Sequence, residues 1–308
     1  MEPDPAAGRY EESYHLMPDE YLKDAPPRVF DVHVHYGPRP NANPNLPQNF
    51  HREMLVHACS RLNIRKVALL GRRGEDDWQT TLDAWQAHPD LFIPLAQVFL
   101  DEDGPDLISR LHERGFKGLK ITGPSRNYDD ESYYSLYERC EELGMPILFH
   151  TGIRGGPIDF LLFHPRDQAL AERTASEHEE RGRGTTKGAA RMQPIYLDTL
   201  AIAFPRLRII GAHLGYGLYD SAAAVARWRR NVSFDISGGA VVRRHILDRE
   251  MIYKEILPEK LLWGSDCDVT HMSRELTAWM DAFNTMGMSA DDQDKIFYRN
   301  AAAIFDVE

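Results

Sequence analysis

Cysteine is scarce in this 308-residue sequence: Cys59, Cys140 and Cys267 are widely spaced, odd in number and form no Cys-x-x-Cys pair. That argues against a disulfide frame and fits reduced thiols in a cytoplasmic chain. Positive charge is also short. Thirty-six Lys plus Arg against 47 Asp plus Glu leave a net charge of -11, which argues against a general affinity for nucleic acid or anionic membrane. An anionic substrate remains compatible if a local cationic pocket exists. No apolar run is long enough to cross a bilayer, and the opening Met1-Glu2-Pro3-Asp4-Pro5 lacks the basic start and apolar centre of a signal peptide. The expected location is therefore the cytoplasm. A glycine-rich phosphate turn is missing too: the first strand runs into Tyr36-Gly37-Pro38-Arg39, unlike the first turn of a doubly wound nucleotide-binding sheet.

What is present begins with Val29-Phe30-Asp31-Val32-His33-Val34-His35. Alternation along a strand puts His33 and His35 on one face roughly 7 Å apart, close enough for two imidazoles to share a metal ion. Val32 and Val34 are expected on the opposite face, against a helix layer. Further apolar strands are expected at 66–71, 92–98, 116–122, 146–151, 207–213, 232–237 and 261–266, with helical spacing between them. Gly115 and Gly144 mark two helix ends, and a helix is expected over 243–256. Eight strands without polar alternation, each separated by a helix, predict a single (β/α)8 TIM barrel over 29–308. Residues 1–28 form an N-terminal extension. One insertion, 152–193, breaks the rhythm; its charged middle with Gly182 and Gly184 reads as a lid or binding loop.

In such a barrel the chemistry gathers where strands end and βα loops begin. The ends carry His33 and His35 on strand one, His150 on strand five, His213 on strand six and Asp266 on strand eight. Lys120, between Leu119 and Ile121 on strand four, should point into the barrel. Three readings fit it: a carbamylated lysine bridging two metals, an ammonium that binds a substrate carboxylate, or a structural cation paired with a buried acid. Asp235 on strand seven reads as a catalytic neighbour or a structural acid, the latter being preferred. Arg39, Arg154 and Arg191 lie on loops above the rim, where a guanidinium suits a carboxylate. Tyr36 and Trp263 suit packing, and most other histidines suit the surface, with His164 and His271 near the site loops.

The Asp31-x-His33-x-His35 start, the histidines after strands five and six, Trp263-Gly264-Ser265-Asp266 and the closing Asn300-Ala301-Ala302-Ala303-Ile304-Phe305 resemble the amidohydrolase superfamily. The closing run resembles in particular its amidohydrolase-related branch, which includes aminocarboxymuconate-semialdehyde decarboxylase-like enzymes. Asp268 stands where many members of that branch have proline. The resemblance implies that His33, His35, His150 and Asp266 hold one divalent metal, zinc or manganese, with His213 beside it. With Lys120 carbamylated it implies two metals, His150 and His213 serving the second. It also implies a hydrolase that cleaves an amide, lactone or ester of a small organic acid through metal-activated water, Asp266 or His213 taking the proton. The alternatives are a non-oxidative decarboxylase of an aromatic or unsaturated acid, and an inactive metal-binding barrel. The expected partner is a small carboxylate-bearing substrate, with no nucleic acid and no membrane. Homo-oligomers are common among such barrels, but nothing in the sequence marks an interface.

The lid expectation has a direct test. Deleting residues 172–188 should weaken substrate affinity and lower turnover together; a deletion variant with unchanged KM and kcat would remove the lid.

Overall fold

A computed structural model describes residues 26–37, 50–154, 188–267 and 269–308. Expectations for most of the N-terminal extension, for Arg39, for His164, for the middle of the insertion and for Asp268 fall outside the described residues. The eight expected strands are all present, each hydrogen-bonded in parallel to the next in chain order: β1 (Val29–Tyr36), β2 (Ile64–Gly71), β3 (Phe92–Val98), β4 (Gly118–Ile121), β5 (Ile147–Phe149), β6 (Ile209–Gly211), β7 (Val232–Asp235) and β8 (Leu261–Leu262). Helices alternate with them: α1 (Phe50–Arg61), α2 (Glu75–Ala87), α3 (Pro105–Arg114), α4 (Tyr134–Leu143), α5 (Tyr196–Ala203), α6 (Tyr219–Trp228), α7 (Gly239–Asp248) and α8 (Met272–Thr285). Gly115 and Gly144 do end α3 and α4 in left-handed conformations, which cost glycine little because it has no Cβ.

Strand alternation produces two apolar cores. Val67, Leu119, Ile121, Ile147, Ile209 and Phe234 face the helices. Their neighbours Ala68, Leu95, Leu148, Ile210 and Leu262 fill the barrel interior. The lower end of that interior is closed by the chain's last turns. After a π-helical stretch, Lys295–Arg299, the short helix Asn300–Phe305 brings Tyr298, Ala301 and Ala302 under the strands. Phe305 lies 5.3 Å from the Phe30 ring. The Asn300 amide donates to the carbonyls of Pro258 and Leu261, at 2.8 and 2.9 Å, tying the plug to the start of β8.

The structure corrects three details. Val32 does not back onto the helices: a bulge in β1 between Asp31 and Val34 puts Phe30 and Val32 inside the barrel and Val34 outside. The extra residue changes the phase of the alternation, so the two histidines face inward above an interior that Val32 helps to fill. The helix over 243–256 is shorter, because α7 stops at Asp248 and left-handed Glu250 and Tyr253 break the segment beyond it. Strand eight pairs as a strand for only two residues. Beyond it, β1 is met by separate backbone bonds: the Val32 N–H donates to the Trp263 carbonyl at 3.2 Å and the Asp266 N–H to the His33 carbonyl at 2.9 Å. Those bonds join β1 to the segment after β8.

Asn300→Ala would strip two backbone carbonyls of their partner. A lost donor to partly buried acceptors costs about 1–3 kcal/mol, so the melting temperature should fall by several degrees while the rim geometry is kept. An unchanged melting temperature would show that the plug does not depend on this amide.

Candidate active site

The rim residues are brought together as the strand-end rule requires. His33 is fully buried; its Nε2 lies 3.5 Å from Asp266 Oδ1, and His35 Nε2 lies 3.4 Å from the same oxygen. His35 stands at the mouth with 51% of its side chain exposed. His213 Nδ1 approaches the other carboxylate oxygen, Asp266 Oδ2, at 3.8 Å. The His33 and His35 rings are 5.2 Å apart, His33 and His213 5.0 Å, and His150 and His213 4.9 Å. Lys120 points inward as expected, its Nζ 3.5 Å from His33 Nε2.

Backbone geometry sets these directions. His213 and Leu214 continue from β6 in a left-handed turn with φ of 59° and 46°, and Asp266 has φ 42°. Non-glycine residues adopt that region at a cost of about 1–2 kcal/mol each, which packing must overcome. The close approach of β1 and the segment after β8 requires Gly264, where a Cβ would stand 2.8 Å from His33 Cβ. Asp31 pins the same seam: its Oδ1 accepts from the His33 N–H at 3.0 Å and the Ser265 N–H at 2.9 Å. Burial raises the Asp31 carboxyl to about 6 against the pull of those donors.

The residue that strand-end reading undervalued is Asp235. Its carboxylate is fully buried. One oxygen accepts from His33 Nδ1 at 2.8 Å; the other accepts the His213 and Ser237 backbone N–H groups at 2.9 and 3.0 Å and lies 2.5 Å from the Ser237 hydroxyl. Burial opposes its charge, but His33, His213 and Ser237 outweigh burial and hold it well below the usual carboxylate range. The available signal was position: Asp235 ends β7 as the other site residues end their strands.

A divalent cation fits this donor set. His33, His35 and Asp266 bring one ligand atom each to within 4.8 Å of one another. With Nδ1–H committed to Asp235, His33 presents its Nε2 lone pair to that group, the usual arrangement of a carboxylate behind a ligating histidine. His150 Nε2 is buried without a hydrogen-bond partner, as a nitrogen reserved for a cation would be, though His150 is not among the residues clustered with His33. Burial pushes His213 down to about 4 and His150 well below the ordinary histidine range, and partial desolvation of the half-exposed His35 ring, with His33 beside it, lowers His35 as well; neutral imidazole is the ligating form. A second cluster, His33, His213 and Asp235, is already joined by hydrogen bonds, so it supports the first.

Burial lowers Lys120 to about 8, while Asp235 and Asp266 pull the other way. Among the described residues it forms no ion pair, which weighs against a structural cation locked to one acid. Arg191 donates to the side-chain amide oxygen of Asn127 at 3.0 Å. Arg154 is exposed just beyond β5, and its charge reaches His150 and Tyr128. His271 lies in the turn before α8, and Trp263 packs near Phe297. All three cysteines are free, and among the described residues no helix is long and apolar enough to cross a membrane.

Fold and site together define a parallel (β/α)8 barrel with a histidine and carboxylate cup at the C-terminal ends of its strands. The chain belongs to the amidohydrolase family, whose pattern it matches over residues 25–307. No curated protein matches it. Among solved structures, it is similar to an uncharacterised TIM-barrel protein from Bordetella bronchiseptica, with a TM-score of 0.60, 17% identity and 82% of each chain covered. It is similar also to a probable 2-pyrone-4,6-dicarboxylic acid hydrolase from Acinetobacter baumannii solved with citric acid, with a TM-score of 0.59, 15% identity and coverage of 91% of this chain and 100% of that one. A third is 5-carboxyvanillate decarboxylase from Novosphingobium aromaticivorans, solved with manganese and a nitrobenzoic acid, with a TM-score of 0.55, 19% identity and coverage of 86% and 85%. Identities this low speak for the fold alone, and that fold agrees with the branch that the motifs resemble.

Asp235→Asn keeps the shape but removes the charge that fixes His33. Loss of such a partner typically costs about 10- to 100-fold in metal affinity, so zinc or manganese should bind that much more weakly by titration calorimetry. Affinity equal to the parent protein would show that Asp235 does not orient a ligand.

Proposed function

We propose that this protein is a cytoplasmic metal-dependent hydrolase of an amide, lactone or ester bond in a small carboxylate-bearing acid. His33, His35, His150 and Asp266 would hold one divalent ion, zinc or manganese. A bound ion of this kind polarises a carbonyl and lowers the pKa of water toward ~7.

The observation that carries the reading is the placement of Asp266. One carboxylate oxygen faces His33 and His35, and the other faces His213 at 3.8 Å. Burial opposes its ionisation, yet His33, His213, His35 and Lys120 keep its pKa below the ordinary carboxylate value. An ionised carboxylate or a neutral imidazole, Asp266 or His213, can take a proton from attacking water and return it to the leaving group. Lys120, buried and cationic at neutral pH, suits a substrate carboxylate, and Arg154 and Arg191 suit one at the rim. With Lys120 carbamylated instead of cationic, a second metal would join the first, held also by His150 and His213.

A second reading is non-oxidative decarboxylation, in which His213 gives a proton to the carbon that loses carbon dioxide. The same proximity of His213 to Asp266 supports it, and the manganese-bound decarboxylase of similar fold makes it chemically reasonable. The product separates the two. Hydrolysis places oxygen from labelled water in the product, whereas decarboxylation releases carbon dioxide. The third reading, an inactive metal-binding barrel, would turn over neither substrate class.

His213→Ala should lower kcat by roughly 10²–10⁴-fold, as expected for loss of a general acid–base group, while metal content per chain stays at the parent value. Turnover equal to the parent protein would remove His213 from the mechanism.

A further inference from the structure

We infer that Ser237 is a positioning residue which holds His213 in a single tautomer, with the proton on Nδ1 and the lone pair on Nε2. The inference rests on the proposed proton-transfer role of His213 and assigns the nitrogen that performs it.

The hydroxyl of Ser237 has three polar neighbours: Asp235 Oδ1 at 2.5 Å, His213 Nδ1 at 2.8 Å and His33 Nδ1 at 3.4 Å. It carries one proton. A serine oxygen 2.5 Å from an ionised carboxylate oxygen requires that proton between them, since two oxygens with only lone pairs facing would repel. A charged acceptor also makes the stronger bond. The proton therefore goes to Asp235, and toward His213 the serine oxygen can only accept. His213 must then donate through Nδ1–H.

Every other donor around Asp235 agrees. One oxygen receives His33 Nδ1–H, and the other already takes the His213 and Ser237 backbone N–H groups. All are donors, so the buried carboxylate has no proton of its own to return to Ser237. The backbone reinforces the arrangement. The left-handed φ of 59° at His213 fixes where the ring leaves the chain, and the His213 N–H is bound to the same carboxylate oxygen that Ser237 engages. Asp235 thus sets two imidazoles at once, His33 directly and His213 through one hydroxyl. His213 reaches the reaction with Nε2 as its basic nitrogen, and a proton it accepts there is returned from the same atom.

The test is long-range ¹H–¹⁵N NMR on zinc-loaded protein with labelled histidine and no substrate, His213 being assigned by the signals missing in His213→Gln. The parent protein should show His213 as the Nδ1–H form. Ser237→Ala should mix the tautomers and reduce kcat by roughly 10- to 100-fold with KM little changed, the scale typical of lost outer partners. Ser237→Thr, which keeps the hydroxyl, should restore both. An Nε2–H form in the parent protein, or an Nδ1–H form unaltered in Ser237→Ala, would overturn the inference. Because the nitrogen signals are read without substrate, they decide the tautomer even if the reaction proves to be decarboxylation.

Discussion

A single buried carboxylate organises the upper end of this barrel. Asp235 has no solvent to stabilise its charge, so the protein supplies donors instead, from His33, from Ser237 and from the backbone of His213. An unpaired buried charge costs several kcal/mol, which makes these bonds obligatory. The consequence is geometric. β1, β7 and the turn after β6 are locked to one point, and the ring orientation of His33 results from the need to satisfy a charge. Removing the carboxylate would leave the ligand residues in place in the sequence but free to turn.

The strained backbone belongs to the same logic. His213, Leu214 and Asp266 all adopt a left-handed conformation, and two of the three carry the proposed proton transfer. In each of those two a hydrogen bond holds the strained residue: the His213 N–H to Asp235, and the Asp266 N–H to the His33 carbonyl. Strain of this kind persists where surrounding contacts over-determine the conformation. The seam between β1 and the segment after β8 is such a place, because too few ladder bonds form there to close the barrel without Asp31, Gly264 and these backbone contacts.

Much of this architecture is legible in the amino-acid order alone. Eight apolar runs separated by helical spacing point to the barrel, and the strand-end rule collects His33, His35, Lys120, His150, His213 and Asp266. The rule works because parallel barrels expose polar chemistry at one end only. What it misses has physical causes. The β1 bulge adds one residue to the alternation, and nothing in Asp31-Val32-His33 announces it, so simple alternation assigns Val32 to the wrong face. Asp235 satisfies the same positional rule but looks structural, since a lone acid in a strand gives no sign of the donors that other strands bring to it. Ser237 is invisible for the same reason: its importance lies in contacts with residues 24 and 204 positions away. Strand eight looks longer than it is because the segment after Leu262 meets β1 through separate backbone bonds and not through a ladder, a difference that the order of residues does not show.

Charge balance in the cup bears on both the cation and the substrate. A ligating histidine is neutral, so with the rings in that state two carboxylates, Asp235 and Asp266, act on one ammonium, Lys120. Below the Lys120 pKa of about 8 the set carries one negative charge in a largely buried volume. Such an imbalance is costly in low dielectric, and a divalent cation reverses it. The loaded cup would then carry one surplus positive charge, which suits a single substrate carboxylate. The direction of that group would come from a local contact with Lys120 or from guanidinium groups at the rim, of which Arg154 is exposed and Arg191 is bound only to a neutral amide oxygen among the described residues. A chain with net charge -11 can therefore still select an anion, because the selection is made over a few ångströms at the mouth, while its overall field is screened within about 8 Å at physiological salt.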